Sequence, residues 1–324
     1  MRDLVRSALF IAGAALFAGC GGSQQIGQMA SPQLQGDAAS TPLPSGVVSH
    51  RAPRPLSRYP QSGEPLLYAA TDNPGAIDIF PLTGPNQPQI GSISDGLETP
   101  WGLSLDVNNA LYVANVEGTV TVYPYGSTSP SMTYSHVGVA LYALADSTGH
   151  VFVSGYGHNH VGHVLEFNVG SNQEVAHQQL GLETDGMAED GQGNLYVAYR
   201  GVGKFRRSSI AEFGPGLKHK RHLRMKIDEP QGLLLDSAGN IIVVESVADR
   251  IDVFPPGATT PSVTVTISGI GHLAELAMQN SETTLWVSSE GGFVYSMPYP
   301  LTPSTVPTEY EQITGESNGI AVSP

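Results

Sequence analysis

Short apolar runs alternate with polar turns along this chain, and the runs recur at a regular interval. A strand of the Leu-Tyr-Val-Ala type begins at Leu67, Leu111, Val151, Leu195, Ile241 and Leu285, at spacings of 40 to 46 residues. Each of these strands is followed by a second strand with alternating apolar positions and then by a weaker third strand. Glycine and asparagine cluster in the turns, where a positive φ is needed. The pattern therefore predicts repeated units of short β-strands.

Each unit also contains an inner strand that precedes the repeated one. These inner strands open near Pro100, Val139, Asp185, Pro230, Leu273 and Ser317. Four short strands in a period of about 44 residues, repeated six times, are typical of β-propeller blades. No sustained 3.6-residue apolar period is present, which excludes a helical solenoid. The sequence predicts an all-β fold, a six-bladed β-propeller with four-stranded blades.

The two ends of the repeat region predict how the ring closes. The chain enters at the second strand of a blade, near Leu66 to Ala70, and finishes with an inner strand, Asn318 to Ser323. We expect the C-terminal inner strand to complete the first blade. Such closure would leave no exposed sheet edge at the seam.

The composition narrows the classes of partner. The formal net charge is −14, so a polyphosphate would be repelled by most of the surface, and we expect no nucleic acid partner. High glycine and proline contents, 38 and 24 residues, suit a fold with many turns. The single cysteine excludes an intramolecular disulfide.

The N-terminus has the pattern of an export signal. Arg2 and Arg6 precede the apolar run 8–18, which is too short to span a membrane, and Cys20 follows a small residue. This arrangement resembles the bacterial lipobox, which implies a lipid on Cys20; a plain export signal with an incidental cysteine is the alternative. The polar stretch 21–62 has no hydrophobic period and predicts a disordered tether.

The predicted organisation is therefore a lipoprotein signal peptide at 1–19, a lipidated Cys20 with a disordered tether at 20–62, and the propeller at 63–324. The expected location is the extracytoplasmic side of the cell envelope, with the protein held at the membrane by its lipid. Gly21 follows the cysteine, not the aspartate that resembles an inner-membrane retention signal. In a cell with two membranes, the outer membrane is the expected address.

Two stretches resemble a known propeller superfamily. Asp185 to Ala198 is similar to the Pro-Asp-Gly strand, and Asn318 to Pro324 to the Pro-Asn-Gly strand, of the NHL-repeat and SMP-30/gluconolactonase-like six-bladed propellers. In the lactonase branch these Asp and Asn residues bind a divalent metal, so the resemblance implies such a role for Asp185 and Asn318. Thr184 and Ser317 replace the two prolines, and the two elements lie three blades apart instead of on neighbouring blades.

The channel mouth of the predicted propeller collects the candidate chemistry. Alignment on the turns places Trp101, Leu141, Asp185, Gln231, Glu275 and Asn318 at equivalent positions just inside one mouth. The candidate ligand-binding residues there are Trp101, Glu183, Asp185, Gln231, Glu245, His272, Glu275, Glu290 and Asn318. Within this set, Asp185, Glu275 and Asn318 predict a site for a hard, Ca²⁺-like divalent cation. The alternative is that polar residues simply surround a wet channel mouth.

Two further clusters carry competing interpretations. His158, His160 and His163 have a spacing that can gather imidazoles around Zn or Cu, or they belong to a solvated loop. A basic cluster between 200 and 226 favours an anionic partner, such as a phospholipid surface, a polysaccharide or an acidic protein, or it covers solvated outer loops. The predicted patch consists of Lys204, Arg206, Arg207, Lys218, Lys220, Arg221 and Arg224.

Two hypotheses for function follow. The first is a membrane-tethered, extracytoplasmic NHL-like propeller that acts as a binding or scaffolding module without catalysis. The second is a metal-dependent, lactonase-like hydrolase or lyase that works at the carboxylate-rich mouth. The chain has no Gly-x-Ser-x-Gly elbow, so nothing supports nucleophilic serine catalysis.

Overall fold

The computed structural model describes residues 63–72, 75–201, 208–269 and 271–324. All regular structure in these residues is β-strand. Accordingly, they contain no helix of the length and apolarity needed to cross a membrane. The predicted signal peptide, Cys20 and the predicted tether lie outside the described residues.

Twenty-four strands follow one another in the described part of the chain. The first twelve are β1 Leu66–Asp72, β2 Gly75–Pro81, β3 Gly91–Ile93, β4 Pro100–Leu105, β5 Leu111–Asn115, β6 Thr119–Tyr123, β7 Met132–Ser135, β8 Val139–Ala145, β9 Val151–Tyr156, β10 Gly162–Phe167, β11 Glu174–Gln179 and β12 Glu183–Glu189. The second twelve are β13 Leu195–Arg200, β14 Ser209–Gly214, β15 Lys218–His222, β16 Pro230–Leu235, β17 Ile241–Glu245, β18 Arg250–Phe254, β19 Val263–Thr266, β20 Leu273–Met278, β21 Thr284–Ser289, β22 Phe293–Pro298, β23 Thr308–Gln312 and β24 Ile320–Val322.

These strands form six antiparallel four-stranded sheets, the blades of a six-bladed β-propeller. Blade 1 has the order β24-β1-β2-β3, and blades 2 to 6 take four consecutive strands each, beginning at β4, β8, β12, β16 and β20. The predicted fold is confirmed. The C-terminal strand β24 pairs with β1, as the sequence predicted, and Leu66 exchanges hydrogen bonds with Ser323 at this seam: its N–H donates to Oγ at 2.8 Å and its carbonyl accepts from the Ser323 N–H at 2.9 Å.

The core is divided into six apolar layers, one between each pair of adjacent blades. Strand β1 shows how the sequence builds two of them. Leu66, Tyr68 and Ala70 pack in the layer shared with blade 2, and Leu67 and Ala69 pack in the layer shared with blade 6. Because alternate side chains point to opposite faces, a strand buried on both faces must be apolar throughout. This explains the continuous Leu-Tyr-Val-Ala runs.

The turn that joins the first two strands of a blade has one repeated construction. Asp236 Oδ1 accepts hydrogen bonds from the N–H of Ala238 at 3.0 Å and of Asn240 at 2.7 Å, and Gly239 adopts a φ of 78°. The corresponding turns use Asp106, Asp146 and Asp190 in the same way. The Asp-x-x-Gly/Asn pattern therefore has a structural role. The Asp carboxylate accepts hydrogen bonds from backbone N–H groups of the turn, and the fourth residue adopts the left-handed conformation.

Candidate functional site

A β-bulge interrupts each inner strand at the place where the sequence put its channel-mouth residues. On β4, β8, β12, β16 and β20, one extra residue separates the pairs on either side of Trp101, Leu141, Asp185, Gln231 and Glu275. A bulge adds local twist and redirects a side chain. The equivalent stretch of blade 1 contains Asn318, where the register with β1 also shifts by one residue. Five of the six predicted positions are thus equivalent in three dimensions. The prediction was wrong for Glu275: the turn of blade 6 is one residue longer, so the pairing of Met278 with Leu285 makes Ala274 the equivalent residue and puts Glu275 at the place of Gly186 and Gly232.

Glycines beside the bulges bring neighbouring inner strands into backbone contact. A Cβ on Gly319 would come closer than 3.0 Å to the carbonyl oxygen of Trp101, and one on Gly102 would do the same at Leu141. Gly186 approaches the carbonyl oxygen of Gln231, and Gly232 approaches that of Ala274, in the same manner. Glycine permits this approach because it has no Cβ. The four contacts show which inner strands are neighbours around the ring, and so give the order of the bulge residues.

That order divides the ring into a polar and an apolar part. Asp185, Gln231, Glu275 and Asn318 come from the adjacent blades 4, 5, 6 and 1, and we call them the polar arc. Trp101 and Leu141 come from blades 2 and 3. The relative exposures of Asp185, Glu275 and Asn318 are only 6%, 3% and 3%, and Gln231 is half-buried. Two carboxyl groups and two amide groups are therefore largely removed from bulk solvent.

Several oxygen atoms of this region have no hydrogen-bond partner among the described residues. They are Oε1 of Gln231, Oδ1 of Asn318 and Oγ of the neighbouring Ser317. A carboxylate oxygen of Glu275 accepts a bond from the N–H of Leu276 at 3.1 Å. Buried polar groups are normally satisfied, so these unpartnered oxygens are candidates for contact with a ligand, an ion or ordered water.

Burial also changes the protonation chemistry of the arc. Desolvation raises the pKa of Asp185 well above its ordinary value, with Glu183 adding to the rise and Arg200 opposing it. Desolvation and the charge of Asp185 raise the pKa of Glu275 in the same direction. The buried Tyr142 has its pKa raised by desolvation and by both carboxylates. Glu275 and Tyr142 thus both feel the charge of Asp185 in a poorly solvated region.

At the rim of the channel mouth, the predicted ligand-binding residue Glu183 is paired with a cationic side chain. Its carboxylate forms an ion pair with Arg200 of the adjacent strand, and the same guanidinium lies 4.0 Å from Glu229. Burial raises the pKa of Glu183, Arg200 lowers it and Glu229 raises it again. Glu183 therefore belongs to a rim ion-pair network next to the polar arc.

The remaining rim candidates lie on blades 5 and 6. Glu245 ends β17, is buried, and pairs with Arg250 at 2.8 Å. The Nδ1 atom of His272 lies 3.5 Å from Asp249, and the carbonyl of His272 accepts a bond from the N–H of Glu290 at 2.8 Å. These contacts link neighbouring strands and blades. Among the described residues, Oε1 of Glu245 also has no hydrogen-bond partner, so the unpartnered oxygens of the predicted set are not confined to the polar arc.

Within the described residues, no three His, Cys, Asp or Glu side chains are grouped as a metal centre. The polar arc contributes two carboxyl groups, and its other two side chains are the amides of Gln231 and Asn318, which are not among these four residue types. The three histidines of the His-x-His-x-x-His stretch separate: His158 and His160 are exposed in the turn after β9, and His163 is buried in β10 beside His177.

The described part of the basic patch lies on and after the outer strand of blade 4. All five residues of β15, Lys218, His219, Lys220, Arg221 and His222, are exposed, as is Arg224. Arg221 pairs with Glu212, and Lys220 Nζ donates to the carbonyl of Gln179 at 2.9 Å. The predicted patch members Lys204, Arg206 and Arg207 lie outside the described residues.

Four residues that the structure places in or beside the site were not predicted from the sequence as site residues: Tyr142, Arg200, Arg250 and Ser317. Tyr142 follows Leu141 where four inner strands have glycine, and this break in the repeat was a usable signal. Arg200 and Arg250 sit in the sequence near strand ends, but nothing local indicates which carboxylate each one meets. Their roles depend on pairing across strands.

Comparisons with known proteins bear on the fold alone. No family model matches the chain, and no curated protein matches it. Among solved structures, U3-55K is similar with a TM-score of 0.57 at 10% identity, covering 83% of this chain and 88% of that one. A protein of unknown function from Bacteroides caccae has a TM-score of 0.57 at 13% identity, with coverages of 80% and 99%. The PQQ-bound aldose sugar dehydrogenase from Streptomyces coelicolor has a TM-score of 0.52 at 14% identity, with coverages of 71% and 86%.

Proposed function

We propose that this chain is a binding propeller of the NHL type, held at the extracytoplasmic face of the cell envelope by a lipid on Cys20, and that its ligand binds at the polar arc. The observation that carries the proposal is the set of buried oxygens on four adjacent inner strands, two from carboxyl groups and two from amides without partners in the described chain. A ligand that brings positive charge or hydrogen-bond donors would satisfy them.

The asymmetry of the ring defines the ligand further. Asp185 and Glu275 come from the two blades on either side of the blade that carries Gln231, and blades 2 and 3 carry Trp101 and Leu141. A cation at the polar arc would keep both carboxylates ionised, because an opposite charge offsets the desolvation that raises their pKa. The half-buried Trp101 offers an aromatic surface to the remainder of a ligand.

The test is a set of melting curves on the purified chain with EDTA, Ca²⁺, Mg²⁺ or the diamine putrescine. We expect at least one cation to raise Tm, and Asp185→Asn combined with Glu275→Gln to abolish that rise. The control is Glu98→Gln with Glu117→Gln, which removes the same charge from two exposed positions and should keep the shift. The proposal fails if no cation acts on the wild type, or if both double variants respond alike.

A metal-dependent hydrolase or lyase of the lactonase class is the second candidate. The donor set favours it, since carboxylate and amide oxygens are the ligands that Ca²⁺ takes in proteins, and Asp185, Glu275 and Asn318 supply both. Gln231 would add a fourth oxygen. When bound, such an ion would supply Lewis acidity that polarises a substrate carbonyl. The residues present therefore fit a hard cation.

Catalysis separates the two candidates. Calcium-loaded chain is incubated with an aromatic lactone, and acid release is followed at constant pH. A binding module stabilised by Ca²⁺ should show no hydrolysis above the rate of the double variant Asp185→Asn and Glu275→Gln. Turnover that needs Ca²⁺ and disappears in this variant would establish the enzymatic candidate.

The tether is tested by fractionation. We expect the wild-type chain in the membrane fraction and the Cys20→Ser variant in the soluble extracytoplasmic fraction, because several acyl chains are needed for stable anchoring and the variant has none. Retention of Cys20→Ser in membranes would refute the anchor. That outcome would leave the polar-arc experiments unaffected.

A further inference from the structure

The outer edge of blade 4 differs in charge from the rest of the molecule. Residues 218–226 contain Lys218, Lys220, Arg221, Arg224 and Lys226 and no acid, and each of these five side chains is exposed. The rest of the chain is therefore five charges more negative than the net −14 of the whole. Two histidines, His219 and His222, stand in the same segment. We call this segment, 218–226, the basic edge.

The cations are arranged in a row. Lys218, Lys220 and Arg221 follow one another along β15, the exposed outer strand of blade 4, and Lys220 reaches the carbonyl of Gln179 on blade 3. The four steps from Lys218 to His222 cover about 13 Å at about 3.3 Å per residue, and this length is the row on β15. Beyond it, Lys226 donates its N–H to the carbonyl of Thr259 on blade 5 at 3.2 Å. The basic edge thus runs from blade 4 onto its neighbour.

Acidic groups of blades 3 and 4 lie near the basic edge. Glu212 pairs with Arg221, and the buried Glu166 of blade 3 feels the charge of Lys218. The exposed Glu174 on β11 is 3.8 Å from His177 on its own strand. The pKa of His222 is lowered by partial burial, Lys220 and Arg224, and its Nδ1 is 2.9 Å from the hydroxyl of Tyr199.

We propose that the basic edge binds a linear anionic polysaccharide, whose repeated charged groups lie along the exposed row of β15. A narrow row on an otherwise acidic molecule fits a thin strand of charge. A flat anionic membrane would bring the acidic remainder of the surface against like charge, which opposes binding.

Two other linear partners fit less well. Single-stranded nucleic acid is held by stacking of bases on aromatic side chains, and the basic edge has no aromatic residue of that kind: its rings are the imidazoles of His219 and His222. An acidic peptide could add as a fifth strand, but the register shift between Glu212 and Gly214 and the positive φ of His219 shorten the regular edge. Lysines and bulges are features that protect an edge strand from such pairing.

Binding of the full chain to immobilised dextran sulfate tests the proposal, with uncharged dextran as reference. We expect saturable binding that weakens as salt rises from 50 to 300 mM, because exposed charges are screened. Affinity should increase about two- to fivefold between pH 7.5 and 5.5, since an anionic partner favours the protonated form of His222. In His222→Gln this pH effect should shrink.

A charge-matched pair of variants separates the site from the net charge. Lys218→Gln, Lys220→Gln and Arg224→Gln together should weaken binding at least tenfold while leaving the Arg221–Glu212 pair in place. The control, Val306→Glu, Thr308→Glu and Gln312→Glu, makes the same change in net charge at exposed positions of blade 6 and should weaken it less than threefold. Equal losses would overturn the proposal.

Competing polymers decide the class of partner. Vesicles containing phosphatidylglycerol, poly-glutamate and oligo-dT are offered at equal charge concentration. The proposal predicts that dextran sulfate binds most tightly. It is overturned if the vesicles, the peptide or the oligonucleotide bind as well through the same three residues, or if no polyanion binds at low salt.

Discussion

At the scale of single residues, two carboxyl groups of the polar arc are buried away from bulk water. Asp185 and Glu275 are each less than one-tenth exposed, and each has its pKa raised chiefly by desolvation. A raised carboxyl pKa means that the folded state holds its proton more tightly than the unfolded state. Charge at these positions is therefore a cost to folding unless a cation is bound.

This cost predicts how stability depends on pH. In EDTA, the wild type should lose stability as pH rises from the unfolded carboxyl pKa, about 4, through the raised folded values, because the unfolded state ionises first. Asp185→Asn with Glu275→Gln should flatten that slope and melt at a higher temperature at pH 8. Urea unfolding titrations at several pH values measure how the free energy of unfolding depends on pH. An unchanged slope in the double variant would show that these carboxyls do not carry the effect.

A single glycine should be equally sensitive for a steric reason. Gly319→Ala would push a methyl group closer than 3.0 Å to the carbonyl oxygen of Trp101, and backbone cannot move aside as a flexible side chain can. We expect a loss of about 2–4 kcal/mol. Gly191→Ala is the control, because nothing lies within 4 Å of its added methyl and its φ is not positive. Similar unfolding midpoints for the two variants would contradict the close-packed ring.

At the scale of elements, the hairpin turn is the most repeated device in the molecule. Asp236 accepts two backbone N–H bonds, a bond from the amide of Asn240 at 2.7 Å and one from the hydroxyl of Tyr299 at 2.5 Å. These donors lower the pKa of Asp236 despite its partial burial, which acts in the opposite direction. The last contact ties blade 5 to blade 6, so this turn also joins two blades.

Removal of this carboxylate should cost more than removal of its equivalent on blade 2. Asp236→Ala is expected to lose about 1–3 kcal/mol at pH 7, and Asp106→Ala less, since within the described residues the Asp106 carboxylate accepts bonds from the N–H groups of Asn108 and Ala110 and from no side chain. Because the folded pKa of Asp236 is depressed, its contribution is present above the unfolded pKa and disappears as pH falls through the folded value. The difference between the two variants should therefore vanish in acid; a difference that persists there would refute the assignment.

At the scale of the whole molecule, one short strand closes the ring. Strand β24 supplies the inner strand of blade 1, buries its three residues, and places Gly319 against blade 2. Without it, β1 would present an unpaired apolar edge to solvent. Exposed edges of this kind pair with other chains.

Truncation tests the closure. A chain that ends at Glu316 should lose cooperative unfolding and form oligomers on size-exclusion chromatography. Deletion of the exposed Pro324 alone should leave the oligomeric state, the cooperative unfolding and the melting temperature of the full chain unchanged. A stable, cooperatively melting truncated chain would show that the seam is dispensable.

The sequence by itself determined the fold and the location of the ring. Apolar alternation and turn chemistry are local, and their repeat at a fixed period sets the number of blades; strand β9 begins at Val151 and β17 at Ile241, as predicted. The same alignment identified Trp101, Asp185 and Asn318 as equivalent, because the bulge recurs at one place in every unit.

Only the tertiary structure decided which charges remain available. Glu183 and Asp185 are two residues apart in sequence, yet Glu183 forms an ion pair with Arg200, whereas Asp185 is buried and raises the pKa of Glu275 and Tyr142. Ion pairing and desolvation depend on distances between strands and between blades, and no local pattern encodes those distances. For this reason the sequence predicted a carboxylate-rich mouth, and the packing of the inner strands defined the polar arc within it.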